Sequence, residues 1–353
     1  MIAIRTDTAP KAADVLNGRT PREAGFTMPA EWERHERCWM AWPHRTDLYG
    51  KRLPSIQRAY ARVAQAIRQF EPLTMLAVPA AAEAARMLCG PDIDVLALEI
   101  DDAWLRDSGP TFLRHRSGQR AGVSWQFNAW GGKHEPWDKD DAVAGKLLGH
   151  LGLPCYRSSL TLEGGAIHVD GDGTVLTTES CVLNPNRNPG WSKRAAEAEI
   201  KRALGVEKVI WLPGDLAEKE TDGHIDGLAC FVRPGLLLVE TNPYPDDPHA
   251  VVLRENLKAL QSRTDARGRK LEFLFIEEAA DLEATSDIFS RSYINFYLAN
   301  GAVVMPGFGI DADARTRDVV ARAFPDRRVV QVDIADIAPG GGGIHCITQQ
   351  EPR

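Results

Sequence analysis

The stretch Gly340–Gln350 reads GGGGIHCITQQ and is the part of the chain that most constrains the fold. Four consecutive glycines do not make a stable strand or helix interior, because glycine loses more conformational freedom than any other residue when it is ordered. They predict a flexible or tightly curved loop that delivers Ile344, His345 and Cys346 into a short strand. Neighbours along a strand face opposite sides, so His345 is predicted to point away from the Cys346 side and to be a poor base for that thiol.

Five segments, of which this stretch is the last, place an ionisable or thiol residue beside glycine. Glycine lets the backbone approach a ligand closely, so the pattern is typical of a tight polar pocket. A surface turn would explain each segment alone, and a small buried hydrophobe is the usual role of a free cysteine such as Cys346. The five together favour a pocket. The segments are Asp101–Thr111 (DDAWLRDSGPT), Phe127–Lys133 (FNAWGGK), Leu162–His168 (LEGGAIH), Thr221–Gly227 (TDGHIDG) and Gly340–Gln350.

The TDGHIDG segment predicts a general acid/base unit. If the segment is extended, Asp222, His224 and Asp226 lie on one face. A carboxylate beside a histidine can orient the ring and hold its protonated form, which suits proton transfer near neutral pH. Two other interpretations are a surface turn with solvated charges and a metal site. A metal site would need more ligands, and the chain offers one similar H-x-D pattern, at His168 and Asp170.

The DDAWLRDSGPT segment indicates a binding site for a planar cation. It places the carboxylates Asp102 and Asp107 near Trp104, and a guanidinium group pairs with carboxylates and stacks on aromatic faces. The alternative is a turn in which Arg106 and Asp107 form an internal salt bridge. Glu163, directly before two glycines, is a further carboxylate of the same kind.

Charge and composition exclude several classes of protein. The formal net charge of −7 argues against a nucleic-acid-binding protein, which would need a basic face, and is compatible with a cationic substrate. No stretch approaches the roughly 18 consecutive apolar residues of a membrane-spanning helix, and residues 1–10 lack the apolar run of a signal peptide. The six cysteines are scattered without a C-x-x-C pair, which predicts neither a metal cluster nor a disulfide scaffold. A soluble protein of the reducing cytoplasm is therefore expected.

The pattern of apolar residues predicts a polar N-terminal arm over residues 1–25 and a single α/β domain over residues 26–353. Five or so strand–helix units suggest an internal repeat, although no fixed period is present in the letters. The predicted helices begin behind Ser55 as N-cap, span Lys193–Leu204 and span Ala314–Phe324. The predicted strands include Leu73–Val78, Val95–Ile100, Gly122–Phe127, Val209–Leu212, Leu236–Glu240, Leu271–Phe275, Ala302–Met305 and Arg328–Val332, with a hairpin of Ile167–Val169 and Thr174–Thr178.

Long motifs along the chain resemble those of the agmatine deiminase family, relatives of the bacterial peptidyl-arginine deiminases. The similarity runs nearly from end to end, and motifs of this length in this order are specific for the family. They are MPAEWERHERCWMAWP at Met28–Pro43, LEGGAIHVDGDGT from Leu162, ESCVLNPNRNP from Glu179, TDGH-x-D from Thr221 and GGGGIHCITQQ from Gly340.

The resemblance implies an α/β fold of the pentein type, a five-bladed propeller with pseudo-fivefold symmetry and an active site in its central channel. It implies hydrolysis of agmatine to N-carbamoylputrescine and ammonia through a covalent thiouronium, with no metal or organic cofactor. The implied partner is a small cationic guanidine, without nucleic acid or membrane, and a homo-oligomer is compatible with the sequence. The implied site residues are Cys346 as nucleophile, His224 as general acid/base, Asp107 and Asp226 as carboxylates on the guanidinium, Glu163 as a further carboxylate and Trp104 as a residue lining the slot.

Two glycines depart from the pattern of the family, which generally has asparagine where this chain has Gly227 and Gly343. The stretch over residues 276–293 is also shorter than usual. Both glycines are predicted to widen the channel, so the alternative substrate is a different or bulkier alkyl-guanidine or an arginine derivative. Four further functions remain compatible with these residues: an amidinotransferase, a non-catalytic guanidine-binding protein, a thiol-dependent amidase and a deiminase of peptide arginines.

Overall fold

Short apolar runs and amphipathic segments alternate along the chain, and the computed structural model, which describes residues 18–353, contains them as strands and helices. The strands are β1 (Phe26–Thr27), β2 (His35–Ala41), β3 (Leu73–Ala77), β4 (Asp94–Ala97), β5 (Thr111–His115), β6 (Arg120–Gln126), β7 (Cys155–Thr161), β8 (Ile167–Val169), β9 (Thr174–Thr178), β10 (Lys208–Leu212), β11 (Ala229–Arg233), β12 (Leu236–Thr241), β13 (Glu272–Glu277), β14 (Tyr297–Ala299), β15 (Ala302–Gly307), β16 (Arg328–Asp333) and β17 (Thr348–Pro352). The helices are α1 (Thr46–Tyr49), α2 (Leu53–Arg68), α3 (Ala82–Cys89), α4 (Leu105–Ser108), α5 (Ala129–Gly132), α6 (Asp138–His150), α7 (Glu179–Val182), α8 (Lys193–Leu204), α9 (Pro248–Gln261) and α10 (Ala312–Ala323).

The strands form five sheets that share one three-strand pattern. In each sheet an antiparallel pair is followed by a strand that lies parallel to the second member of the pair. The parallel step needs a crossover, and a helix provides it each time. The five units are β17–β2–α2–β3, β5–β6–α6–β7, β8–β9–α8–β10, β11–β12–α9–β13 and β14–β15–α10–β16.

The crossover helices follow their apolar spacing, with one difference at an N-terminus. Ile56, Tyr60, Val63 and Ile67 are buried on one face of α2, as the sequence predicts. The prediction that Ser55 caps this helix is wrong, because α2 begins at Leu53 and continues directly from a short 3₁₀ turn. The Ser55 hydroxyl instead donates to a backbone carbonyl of that turn, at 2.9 Å.

Helix α8 has both of its predicted ends. The Ser192 hydroxyl accepts a hydrogen bond from the backbone N–H of Ala195 at 3.2 Å, and Gly205 follows the last turn with a left-handed φ of +67°. Such a conformation is unstrained for glycine and closes the helix. Each of the predicted strands overlaps an observed one, and β8 and β9 form the predicted hairpin.

The two ends of the described chain meet in one sheet. Strand β17 pairs antiparallel with β2, so the residues that follow Cys346 lie beside the first long strand. Residues 1–17 of the predicted N-terminal arm lie outside the described residues, and residues 21–25 form a turn. Among residues 18–353 no helix is long and apolar enough to cross a membrane.

Candidate active site

Four of the five polar segments that the sequence singles out lie at equivalent places in four of the sheets, whereas Phe127–Lys133 follows β6. These four come directly before the first strand of the three-strand pattern, as follows: Asp107 before β5, Glu163 before β8, His224 before β11 and Cys346 before β17. The fifth equivalent place, before β14, carries Asn295. If each three-strand unit packs against the next in the same way, the loops before their first strands lie close together. This packing accounts for a site formed by residues as far apart in sequence as Asp107 and Cys346.

Cys346 lies in a turn and not in the short strand that the sequence predicts. Residues 344–347 form the turn, and β17 begins only at Thr348. The Thr348 hydroxyl donates to the carbonyl oxygen of Ile344 at 2.8 Å, which closes the turn. The turn leaves the cysteine 7% exposed, against the side chains of the neighbouring loops.

Two polar side chains contact the Cys346 sulfur. The side-chain amide of Asn295 donates to Sγ at 3.2 Å, and its Oδ1 accepts from the backbone N–H of Cys346 at 3.2 Å. A carboxylate oxygen of Asp226 lies 3.6 Å from Sγ. Burial, followed by the charges of Asp226 and Asp107, raises the pKa of the Cys346 thiol well above its ordinary value. In the free protein this thiol therefore keeps its proton at neutral pH.

His345 faces two carboxylates and not the thiol of its neighbour. Its Nδ1 lies 2.8 Å from a carboxylate oxygen of Asp226, and its Nε2 lies 2.8 Å from one of Glu31. Burial opposes ionisation of Asp226, but the hydrogen bond and charge of His345, together with the charges of His224 and Arg106, lower the pKa of that carboxyl. His345 thus holds Asp226 in its charged form beside the sulfur.

His224 is a buried ring between two carboxylates that come from other loops. Its Nδ1 lies 3.9 Å from Asp107 Oδ1, and its Nε2 lies 3.6 Å from Glu163 Oε2. Both ring nitrogens lack a hydrogen-bond partner among the described residues. Burial lowers the pKa of His224, but the charge of Asp107 and the contacts with Cys181 and Glu163 raise it well above its ordinary value. The ring is therefore an imidazolium at neutral pH.

The prediction that the TDGHIDG segment is extended is wrong. Asp222 and Gly223 have positive φ angles of +60° and +86°, and Ile225–Gly227 is a 3₁₀ helix. Asp222 accordingly accepts hydrogen bonds from Asn186 and Lys133, each at 3.0 Å, and does not share a face with the histidine. The carboxylates that flank the ring in space are not the two that flank it in sequence.

Asp107 accepts two hydrogen bonds that fix its carboxylate. The backbone N–H of Gly165 donates to Oδ1 and the indole N–H of Trp130 donates to Oδ2, both at 2.9 Å. Burial raises the pKa of Asp107. The alternative salt bridge with Arg106 does not form, because the Arg106 guanidinium extends the other way, 3.6 Å from Glu31.

Glu163 is neutralised by a buried arginine. Its Oε1 accepts from the guanidinium of Arg187 at 2.7 Å, and both side chains are fully buried. Burial opposes ionisation, but the Arg187 charge and the contact with His224 lower the pKa of Glu163 to about 2. Glu163 is therefore a permanent anion that lies behind the histidine ring.

The glycine run before Cys346 gives room to an aromatic ring. A β-carbon added at Gly342 would lie 2.6 Å from the ring of Trp104, and one at Gly340 would lie 3.0 Å from it. Trp104 is 9% exposed and lines a small pocket with Asp107 and Cys346. The loop is thus tightly curved around the tryptophan.

A cavity of about 250 Å³ opens beside the sulfur. Cys346, His224, Asp226 and Gly227 are among the residues that line it. An added β-carbon at Gly227 would meet nothing within 4 Å, as expected for a glycine that widens the cavity. The same expectation for Gly343 is wrong, because an added β-carbon there would lie 2.7 Å from the side-chain oxygen of Asn295.

One group of side chains among residues 18–353 has the spacing of a metal site. Donor atoms of Glu163, Cys181 and His224 all lie within 4.8 Å of one another, and cysteine, histidine and carboxylate are zinc ligands. The group does not fit a metal, because Glu163 is already paired with Arg187 and His224 carries a proton.

The predicted site residues come together, and the contacts add others that sequence reasoning missed. Asp107, Asp226, Glu163, His224, Trp104 and Cys346 all lie in the cluster described above. The additional residues are Asn295, Arg187, Trp130 and Gly165. Arg187 and Trp130 lie in conspicuous motifs, but nothing in the sequence around Asn295 signals its contact with the sulfur.

Comparison with known proteins identifies relatives over almost the whole chain. Residues 27–352 match the family of Porphyromonas-type peptidyl-arginine deiminases. A putative agmatine deiminase of Legionella pneumophila is 44% identical over 336 residues, which cover 94% of this chain and 97% of the relative. The agmatine deiminase of Pseudomonas aeruginosa is 43% identical over 357 residues, with coverage of 94% and 97%. The structure of the agmatine deiminase of Enterococcus faecalis superposes with a TM-score of 0.92 and 37% identity, over 95% of this chain and 98% of that one.

Fold and relatives together define a hydrolase of carbon–nitrogen bonds with the α/β pentein fold of the guanidino-group-modifying enzymes. The chain belongs to the Porphyromonas-type peptidyl-arginine deiminase family.

Proposed function

We propose that this protein hydrolyses agmatine to N-carbamoylputrescine and ammonia, with Cys346 as nucleophile. One observation carries the proposal: a buried thiol lies 3.6 Å from a charged carboxylate in a cavity that is also lined by an imidazolium whose ring nitrogens make no hydrogen bond. Such a cavity suits a cation that reacts with a thiol and then takes up a proton. The names of the relatives support agmatine as that cation.

Substrate binding places a planar guanidinium between Asp107 and Asp226. A carboxylate pairs with two guanidinium N–H groups at once, so the two residues fix the plane of the group as well as its charge. Trp104 lines the slot beside them. This arrangement presents the guanidinium carbon to the sulfur and replaces a bimolecular encounter by a fixed geometry.

Binding of the cation also activates the thiol. Burial and the charges of Asp226 and Asp107 raise the pKa of Cys346 in the free protein, and the positive charge of the guanidinium offsets part of the negative charge, which favours the thiolate. The substrate is therefore the important source of positive charge for this thiol. The thiolate attacks the guanidinium carbon, and a carbon–sulfur bond forms.

His224 moves protons in both halves of the reaction. As an imidazolium it protonates the departing nitrogen, the carbon–nitrogen bond breaks, ammonia leaves, and a covalent thiouronium remains on Cys346. The neutral ring then takes a proton from water, the hydroxide attacks the same carbon, and the carbon–sulfur bond breaks to release the ureido product. Assistance of this kind contributes roughly 10²- to 10⁴-fold in rate. Glu163, with its partner Arg187, keeps the ring oriented.

The five sheets support the further proposal that the chain is a five-bladed propeller with pseudo-fivefold symmetry. In this arrangement the loops before the first strands face one central channel, where the cavity lies. The proposed enzyme works in the cytoplasm without a metal or organic cofactor, on a small cationic guanidine, and a homo-oligomer is compatible with it. The open space at Gly227 favours one alternative, which is a bulkier alkyl-guanidine as substrate.

Product analysis on a panel of guanidines tests the proposed reaction. The panel contains agmatine, free arginine, shorter and longer alkyl-guanidines and an arginine peptide, each with and without an added amine. We expect equal amounts of ammonia and ureido product from agmatine, unaffected by the amine. Transfer of the amidino group to the amine would indicate an amidinotransferase, and turnover of a bulkier guanidine alone would change the substrate. Binding of guanidines without turnover of any would contradict the hydrolase.

A further inference from the structure

The cavity beside Cys346 continues to a second group of ionisable side chains that the proposed reaction does not use. These are Glu240 near the end of β12, Glu278 directly after β13 and His249 in the first turn of α9, all of which line the same cavity as Cys346. We call these three residues the Glu240 cluster. The unpartnered ring nitrogens of His224, which is 4% exposed, belong to the same cavity. The cavity therefore connects His224 with the Glu240 cluster.

Glu240 is a buried carboxylate without a cationic partner of its own. It is 1% exposed, and its Oε1 accepts a hydrogen bond from the Ser292 hydroxyl at 2.8 Å. Among the described residues no basic side chain forms an ion pair with it, whereas Glu278 is paired with His249 Nδ1 at 3.0 Å. Burial and the charge of Glu278 raise the pKa of Glu240 to about 8.

The contrast with Glu163 shows what Glu240 lacks. Glu163 is buried to the same degree, but the guanidinium of Arg187 lies 2.7 Å away and the pKa falls to about 2. An uncompensated buried carboxylate is unfavourable until a cation reaches it. At Glu240 the chain supplies a hydroxyl and, from His249, one positive charge that is already paired with Glu278. Two carboxylates thus share one imidazolium, so a second cation has to come from the cavity.

Two backbone segments that line the cavity, called its two walls below, connect the surroundings of the Cys346 sulfur with Glu240. One wall runs from Asp226, 3.6 Å from the sulfur, to Leu228, whose carbonyl accepts a hydrogen bond from the backbone N–H of Glu240 at 3.0 Å. The other wall runs from Asn295, 3.2 Å from the sulfur, back to Ser292, which holds the Glu240 carboxylate. The reacting centre and the carboxylate are thus only a few residues apart along each wall.

No side chain blocks the first wall where the path leaves the reacting centre. Gly227 lies on this wall between Asp226 and Leu228, and an added β-carbon there would meet nothing within 4 Å. The cavity is therefore open where an alkyl chain would leave the guanidinium site.

We propose that Glu240, supported by Glu278, binds the ammonium group at the far end of the substrate and determines which guanidines the enzyme accepts. The inference rests on the proposed function. It identifies the residues that bind the end of the substrate remote from the reacting guanidinium. A terminal ammonium supplies the cation that Glu240 lacks. An α-carboxylate, as in arginine, would instead meet two carboxylates and be repelled, so the cluster selects amino-alkyl guanidines against amino acids.

A pair of substrates that differ only at the far end tests this role. Agmatine is compared with the unbranched alkyl-guanidine of the same length, which lacks the amine, in the wild type and in Glu240→Gln. We expect kcat/KM for agmatine to fall roughly 10- to 100-fold in the variant, because a hydrogen bond between two charged groups becomes one to a neutral amide. The value for the alkyl-guanidine should stay within about threefold, since it makes no such contact. The matched control is Glu277→Gln, an exposed carboxylate at the end of β13, which should change neither value.

Three outcomes would overturn the inference. An equal loss of kcat/KM on both substrates would mean that Glu240 positions the catalytic groups and does not bind the ammonium. An unchanged value for agmatine would remove Glu240 from the contact. A selective loss in Glu220→Gln alone would place the ammonium at the other carboxylate near the slot. Calorimetric binding of the same two compounds to Cys346→Ala, with and without Glu240→Gln, gives the same comparison without turnover, so a failure of the proposed reaction is distinguishable from a failure of this inference.

Discussion

Cys346 shows how the charge around one residue decides its reactivity. A reactive cysteine usually lies beside a cation that stabilises its thiolate, but the groups next to this thiol are Asp226, a carboxylate, and Asn295, an amide. The free protein therefore holds a protonated thiol. In the proposed mechanism a cation between Asp226 and Asp107 converts this thiol to a nucleophile, so neutral electrophiles are expected to react with it slowly.

Alkylation by a matched pair of reagents measures this dependence. We expect 2-chloroacetamidine, which is cationic and planar, to alkylate Cys346 much faster at pH 7 than neutral 2-chloroacetamide does. Because the pKa of the thiol is raised, the rate with the neutral reagent should keep rising with pH beyond the ordinary cysteine pKa of about 8.5. Peptide mass analysis after timed quenching gives both rates. In Asp226→Asn the advantage of the cationic reagent should shrink, and equal rates for the two reagents in the wild type would contradict this account.

At the scale of single elements, the 3₁₀ turn over Gly164–Ala166 brings three loops together. A β-carbon added at Gly165 would lie 2.6 Å from His224 Nδ1, 2.9 Å from Asp226 Oδ2 and 3.0 Å from Asp107 Oδ1. One added at Gly164 would lie 2.1 Å from the backbone carbonyl of Arg106. Side-chain ends can move apart, but a backbone carbonyl in a packed loop cannot move cheaply.

Alanine at these two neighbouring glycines should therefore have different effects. Gly165→Ala should keep its thermal stability nearly unchanged but lose activity by at least about 100-fold, since displacement of catalytic groups by an ångström has that effect. Gly164→Ala should lower the free energy of unfolding by about 1–3 kcal/mol, as overpacking does. Denaturant unfolding and initial rates on the same samples separate the two. Full activity in Gly165→Ala would show that the loops do not meet as described.

The elements also show where prediction from sequence stops. Glycine beside a charge marks the loops that carry Asp107, Glu163, His224 and Cys346, so four of the five equivalent loops are predictable. The fifth, before β14, carries Asn295 within Ser292–Phe296, which has neither glycine nor a charged residue, and its contact with the sulfur depends on how two sheets pack. The wrong extended conformation at TDGHIDG has a similar origin, because the Asp222 turn is held by Asn186 and Lys133 from other loops.

At the scale of the whole molecule, the sheet of β17 and β2 joins the two ends of the described chain. Glu351 in β17 accepts a hydrogen bond from the indole N–H of Trp39 in β2 at 2.8 Å, and it also pairs with Arg120 of a neighbouring sheet. Glu351 is 1% exposed. This contact lies five residues after Cys346 and fixes the strand that follows this cysteine.

Removal of this contact should destabilise the protein. We expect Glu351→Ala to lower the free energy of unfolding by about 2–4 kcal/mol, because it leaves a buried indole N–H and a guanidinium without their acceptor. The matched control is Glu36→Ala, an exposed carboxylate in β2, which should change the value by less than about 0.5 kcal/mol. Urea unfolding followed by tryptophan fluorescence measures both. A loss of equal size in the two variants would mean that Glu351 has no special role.

The repeated strand–helix units of the fold can be recognised in the sequence, but they do not recur at a fixed spacing. The strand–helix units are predictable because α2 and α8 keep clear apolar stripes and the strands are short apolar runs. A fixed period is absent because the crossovers differ in length, and α1, α5 and α7 are short helices added to individual crossovers. The antiparallel pairing of β17 with β2 joins segments from opposite ends of the chain, so no local pattern predicts it.

Ammonia release from agmatine by three proteins tests the central claim most directly. The wild type is compared with Cys346→Ala and with Cys181→Ala, whose thiol lies 3.5 Å from Glu163 and contacts His224. The account predicts turnover in the wild type, a loss of at least about 10³-fold in Cys346→Ala, as for other nucleophiles, and activity within about tenfold of the wild type in Cys181→Ala. Agmatine hydrolysis that survives in Cys346→Ala, or that disappears only in Cys181→Ala, would contradict it.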